Sequence, residues 1–262
     1  MRRVARWVGC LSLGILCCSS GLVRGEMEHA HNHARRTPIV SDPLGIELGR
    51  RFELALRSKS PQDCAPYIRH TFQPRQLEEL LCLGHVEARR AAAFGLGLTA
   101  DYRSAPVIAK GVVDPDAEVR RLAQESSWSI WKRSGTPDQQ ARLESASRKI
   151  SRNELTAAIF DLTILISQAP AFAEAYNQRA IALFQLQRFA ESAEDCRRAL
   201  ELNPYHFGAA VGMAQCFMRI NRVEAAYAAF LITERLNPYL PGIQEQVETL
   251  RQEVQAAKAA KK

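Results

Sequence analysis

Residues 173–205 read AEAYNQRAIALFQLQRFAESAEDCRRALELNPY, and the way this stretch breaks decides how the rest of the chain folds. Tyr176, Ala180 and Leu183 fall on one face of a helix, with Ala180 small enough to let a second helix approach closely. Gln187-Arg188 interrupts that pattern. Phe189 then opens a second apolar stripe through Ala193, Cys196 and Leu200, at the i, i+4, i+7, i+11 spacing of a helix buried on one side. Asn203-Pro204 ends it, because proline cannot continue a helix and biases the residue before it towards extended geometry. Pro170, Pro204 and Pro238 stand 34 residues apart. A fixed period of that size indicates stacked supersecondary units rather than one folded core.

Laid in this register, the units are 139–172, 173–206 and 207–240. They resemble tetratricopeptide repeats, a family whose pattern is W-x2-L-G-x2-Y, then A-x3-F, then P, over a helix-turn-helix. Tyr176, Ala180 and Leu183 occupy the Trp, Gly and Tyr places of the middle unit, and Ala199 to Pro204 resembles the usual ending. Ala214, Phe217, Ala226, Phe230 and Pro238 follow at the same intervals in the third unit. In the first, Ala146, Ala158, Leu162 and Pro170 fit, while Arg142 stands where the large aromatic belongs. Pro241-Gly242 opens a last helix, residues 241–258, with Ile243, Val247, Leu250 and Val254 facing inward. It is similar to the capping helix that covers the end of such arrays. The resemblance implies an all-α, right-handed α-solenoid of antiparallel helix pairs.

Residues 43–134 carry a second, shorter periodicity. Val86 to Ala92 (VEARRAA) and Ala117 to Ala123 (AEVRRLA) lie 31 residues apart, each after a shorter apolar helix. Asp114-Pro115-Asp116 supplies a turn before the second copy. This resembles HEAT-like repeats, and the small residues Ala91 to Ala93, Gly95 and Gly97 suit close helix contact. Leu44, Leu48, Phe52 and Leu56 predict a helix before it, from Pro43 to about Arg57. Ser134 to Asp138, with Gly135 and Pro137, marks the boundary between the halves. Trp128 and Trp131 are expected to fill the junction with the first 34-residue unit.

Three arginines, an apolar run from Trp7 to Cys18, and then Ser19, Ser20 and Gly21 have the layout of a secretory leader over residues 1–25, cut near Gly21 or Gly25. The run is too short to span a membrane, and export to the periplasm or the extracellular space is expected. The net charge is +7, and the four arginines of the leader bring it to +3 without them, too little to indicate nucleic acid. Residues 26–42 have no apolar period and are expected to form a disordered tether. His29, His31 and His33 within it alternate, and such a set can hold a zinc or copper ion, which makes metal binding or delivery the alternative function. A polar tail with incidental histidines is the plainer reading.

No phosphate-binding glycine loop, H-E-x-x-H, G-x-S-x-G or paired C-x-x-C occurs, so neither an enzyme nor a cofactor is implied. His70, His85 and His206 lie near predicted turns and are expected to be exposed; Glu78, Glu79, Glu194 and Asp195 are expected on outward faces. Cys64, Cys82, Cys196 and Cys216 remain after processing. The repeat register places Cys196 and Cys216 level on neighbouring helices, as a disulfide or as two small buried thiols.

The tetratricopeptide resemblance implies recognition by surface: the first helix of each unit lines a concave face that takes a peptide or protein partner. Residue by residue, that face comprises Leu143, Ser147 and Ile150; Asn177, Ile181, Phe184 and Gln185; and Val211, Gln215, Met218 and Arg219. Its few charges suit an amphipathic or apolar segment. The same face could instead be covered by the chain's own N-terminal half or by self-association.

Overall fold

The computed structural model describes residues 43–58 and 60–260, and every regular element among them is helical. The N-terminal half comprises α1 (Pro43–Arg57), α2 (Ala65–Thr71), α3 (Pro74–Leu83), α4 (Val86–Thr99), α5 (Ala105–Val112) and α6 (Ala117–Lys132). The C-terminal half comprises α7 (Pro137–Ser151), α8 (Leu155–Gln168), α9 (Ala173–Gln185), α10 (Phe189–Leu202), α11 (Phe207–Arg219), α12 (Val223–Leu236) and α13 (Ile243–Ala259). Each helix from α8 onward packs on the one before it, as expected of an array of hairpins.

Helix α4 is the hub of the first half, contacting α1, α3 and α6. Its Ala91, Ala92 and Ala93 are fully buried, and a Cβ on Gly97 would lie 2.3 Å from Ser126 Oγ, so only glycine permits this crossing. The turn into α6 is held by charge. Asp116 caps α6 by accepting from the Val119 amide, while Arg89 donates to Asp114 at 2.9 and 3.1 Å and Arg90 to Asp116 at 2.9 and 2.8 Å. Arg90 also reaches Glu53 on α1 at 2.9 Å, tying three helices through one guanidinium.

In the second half the 34-residue step is visible in the backbone. Asn153, Gln187 and Asn221 are the described non-glycine residues with positive φ, at 61°, 61° and 58°, one in each hairpin turn. Around each, the following amide closes onto the carbonyl five residues back (154 to 149, 188 to 183, 222 to 217), all at 2.9 Å. This is the paired closure that ends helices through a left-handed residue, here with asparagine or glutamine instead of glycine. Between units, Asn203 and Asn237 are fully buried, and their side-chain oxygens accept from the amides of Tyr205 and Tyr239.

Candidate interaction face

The first helices of the three hairpins, α7, α9 and α11, carry the face expected to bind. Ile181, Phe184, Gln185, Val211, Gln215 and Met218 are half-buried there, and Arg219 is exposed. Ser147 is half-buried too, its hydroxyl donating to Gln178 at 3.2 Å. Leu143, Ile150 and Asn177 are not available to a partner. Leu143 and Ile150 lie in the core with Leu155, Leu162 and Phe172, and Asn177 is buried beside Glu174. They point into the hairpin because a helix packed on two neighbours buries more than one stripe.

Two ends of this face differ in character. At the hairpin-turn end, Phe184 and Phe189 meet edge to face at 5.1 Å. The Arg219 guanidinium lies over both rings, at 5.9 and 5.3 Å, and makes no ion pair among the described residues. The result is a half-open apolar surface with one positive charge.

The opposite end is sealed by the N-terminal half. Trp131 of α6 stacks on His206 with ring centroids 4.2 Å apart, and Trp128 meets His206 and Phe207 edge-on at 5.4 and 5.5 Å. A Cβ on Gly208 would come within 2.3 Å of the Trp128 ring. The Tyr102 hydroxyl donates to the Leu202 carbonyl at 3.1 Å, and Arg120 lies over the Tyr239 ring at 3.9 Å. The tryptophan rings therefore meet the start of the third unit and not the first, because α6 crosses onto the N-terminal ends of α9 and α11.

Two residues expected to be exposed or outward-facing are buried instead. His206 is fully buried: its Nδ1 accepts from the Ala209 amide at 3.1 Å, capping α11, so Nε2 carries the hydrogen that faces Glu174 Oε2 at 2.9 Å. Asp195 is buried under a bidentate pair with Arg179, at 2.8 and 2.7 Å, and Arg179 also donates to Thr163 at 3.1 Å. These groups line an open cleft of about 450 Å³ between α8 and α10, where the buried carboxylate is already satisfied. Glu174 and Gly208 were not singled out in the sequence. The only signal was the run of small residues Gly208, Ala209 and Ala210, which announces a close approach.

Cys196 and Cys216 are free, buried thiols, not a disulfide. Cys216 donates to Ser192 Oγ at 3.2 Å, and Ser192 in turn donates to the Ala180 carbonyl at 2.8 Å. Burial pushes both thiols up, Cys216 to about 11 and Cys196 well above its usual value. His29, His31 and His33 lie outside the described residues, among which no cluster of metal-ligating side chains occurs. No helix among them is long and apolar enough to cross a membrane.

Stacked antiparallel hairpins with a fixed step define a helical-repeat protein. One of the repeats is of the tetratricopeptide kind: residues 173–206 match the family model described as tetratricopeptide repeat. The chain is 32% identical over 101 residues to a TPR repeat-containing protein of Rhizobium etli, covering 38% of this chain and 48% of that one. The chain thus spans about half the length of the curated relative it matches. Among solved structures it is similar to the first TPR of Spaghetti bound to an HSP90 peptide, with 20% identity, a TM-score of 0.42 and coverage of 44% of this chain and 92% of that one. The Sgt2 TPR domain from Aspergillus fumigatus gives 20% identity and a TM-score of 0.43, covering 47% of this chain and 83% of that one.

Proposed function

We propose that this protein is an exported, non-catalytic adaptor that holds a peptide or protein segment on the open end of its first-helix face. One observation carries the reading: Ile181, Phe184, Gln185, Met218 and Arg219 form a continuous, half-exposed surface with a single charge, beside an end that α6 already fills. Such a surface suits an amphipathic helix or extended segment with apolar anchors and few charges, since apolar contact supplies most of the affinity and Arg219 supplies orientation. Export rests on the leader of residues 1–25, and intact-mass measurement of the mature chain tests it: a mature start near residue 22 or 26 is expected, and an intact Met1 terminus overturns it.

The binding test is selection of a random peptide library against the purified protein, with the Phe184→Ala/Met218→Ala variant as the comparison. Enriched peptides should bind the variant at least tenfold more weakly, about 1.4 kcal/mol, while its helical circular dichroism is unchanged. Peptides that bind both proteins alike would remove this face from the function.

A further inference from the structure

Arg219 is exposed at the end of α11, and its guanidinium lies 5.9 Å from the centroid of the Phe184 ring and 5.3 Å from that of Phe189. Resting on ring faces holds it at the rim of the apolar surface, so its place relative to Phe184 and Phe189 is set before a partner arrives. Neighbouring arginines are neutralised within the repeats: Arg179 by Asp195, Arg188 by Glu191, and Arg197 by Glu194 and Glu201. Arg219 is not. Glu191, the acid closest to Phe189 in the sequence, is taken through both oxygens by Arg188, at 2.7 and 2.6 Å. Glu224, the closest to Arg219, is exposed beyond the turn on α12, and no carboxylate among the described residues comes within ion-pair reach of the Arg219 guanidinium. The donors beside it limit what form of anion fits. Asn177 is buried and donates to Glu174 at 3.2 Å, which removes it from the face, and Gln185 and Gln215 offer neutral amides. One cation with neutral amides beside it suits a lone side-chain carboxylate better than the end of a chain, which takes several donors converging on one point.

We propose that the segment held on this face carries an internal Asp or Glu close to its apolar anchor, the carboxylate on Arg219 and the anchor against Phe184 and Met218, a reading that rests on the peptide-binding role proposed above. The spacing follows from the distances. With the guanidinium 5.9 and 5.3 Å from the ring centroids, acid and anchor must project to the same side about 6 Å apart. In an extended segment residues i and i+2 do so, at about 7 Å, and in a helix residues i and i+3 or i+4 do so, at about 5–6 Å. Neighbouring residues point apart and do not fit. Because the pair forms at an exposed site, the apolar anchor supplies most of the affinity, and the acid selects among apolar segments.

Peptides selected on the intact purified protein test this once they are sequenced. Those that lose binding to the Phe184→Ala/Met218→Ala variant should share an Asp or Glu at a fixed distance from an apolar residue. For a synthetic peptide of that kind, Arg219→Gln should weaken binding about fivefold and Arg219→Glu further, and changing the peptide's acid to Lys should restore binding to the Arg219→Glu protein. Amidating the peptide's C-terminus should change nothing. Arg219 is exposed, so both variants should keep the wild-type helical circular dichroism. Peptides that need Phe184 and Met218 yet hold no acid at a fixed place overturn the acidic partner and leave the binding role standing. Loss of binding on amidation overturns it too, since a chain terminus is then what Arg219 reads. Peptides indifferent to the Phe184/Met218 change, or none enriched at all, overturn both.

Discussion

Glu174 and His206 face each other at 2.9 Å from the starts of two successive repeats, and neither side chain is exposed to solvent at all. The carboxylate accepts from three donors, Asn177 at 3.2 Å, Gln178 at 2.8 Å and His206. The imidazole in turn caps α11 and carries the Trp131 ring on its face. One histidine thus joins a helix terminus, the neighbouring repeat and the N-terminal half.

Removing the acceptor should be costly, because the donors it satisfies stay buried. We expect Glu174→Ala to lose about 3–5 kcal/mol in urea unfolding, and Glu174→Gln to lose less, since its amide oxygen still accepts. A loss below about 1 kcal/mol for the alanine variant would show that the cap and the ring stack alone hold His206.

Gly208 sets two opposing effects against each other. Alanine in a helix gains about 1 kcal/mol over glycine, yet its Cβ would fall 2.3 Å from the Trp128 ring. The indole is wedged against His206 and Phe207 and cannot retreat without opening the seam between the halves. Gly208→Ala should therefore destabilise by about 1–3 kcal/mol net and alter tryptophan fluorescence. A variant more stable than wild type contradicts the seam as described.

Hydrogen bonding from the Arg90 guanidinium, with the Val119 amide assisting, holds the Asp116 carboxyl down to about 2, below its usual 3.8. A carboxyl depressed by folding contributes stability above its unfolded value, and that contribution fades as pH falls from about 4 through about 2. Asp116→Asn keeps a capping oxygen but loses the charge. It should be clearly less stable than wild type at pH 7, with the gap closing towards pH 2. A gap of constant size across that range would mean that the Arg90 pair contributes nothing.

The thiols should separate by accessibility. Cys82 is exposed, whereas Cys64, Cys196 and Cys216 are buried with their pKa values raised by burial. In protein lacking residues 1–25, a thiol reagent should label one site promptly and three more only on denaturation. Prompt labelling of Cys196 or Cys216 would show that α10 and α11 open readily.

The hairpins were legible because proline, the small residue at the helix crossing and the apolar stripe recur at one spacing, and each acts within its own unit. Ile243, Val247, Leu250 and Val254 are likewise all buried, as their spacing predicts. The half-open face was legible only in part. Asn177 has the right register for it, yet it is buried beside Glu174, whose other partner His206 comes from the next repeat, and local spacing does not show that contact. His206 misled for the same reason: beside Pro204 it reads as a turn residue, and only the arrival of Trp131 makes it interior. Gln187 marks the break between its two helices in the sequence, but its left-handed backbone, shared with Asn153 and Asn221 at the repeat spacing, does not show there, since glutamine gives no conformational signal of its own.

Phe207 opens the third repeat, yet its ring belongs to the core of the N-terminal half. A chain of hairpins touching only their neighbours stretches and frays like a spring, one coil at a time. Here a coil near the far end is riveted to the base. Pulling or heating should meet a single closed loop that yields at once, and a partner seated on α9 and α11, as proposed, would grip a rigid post.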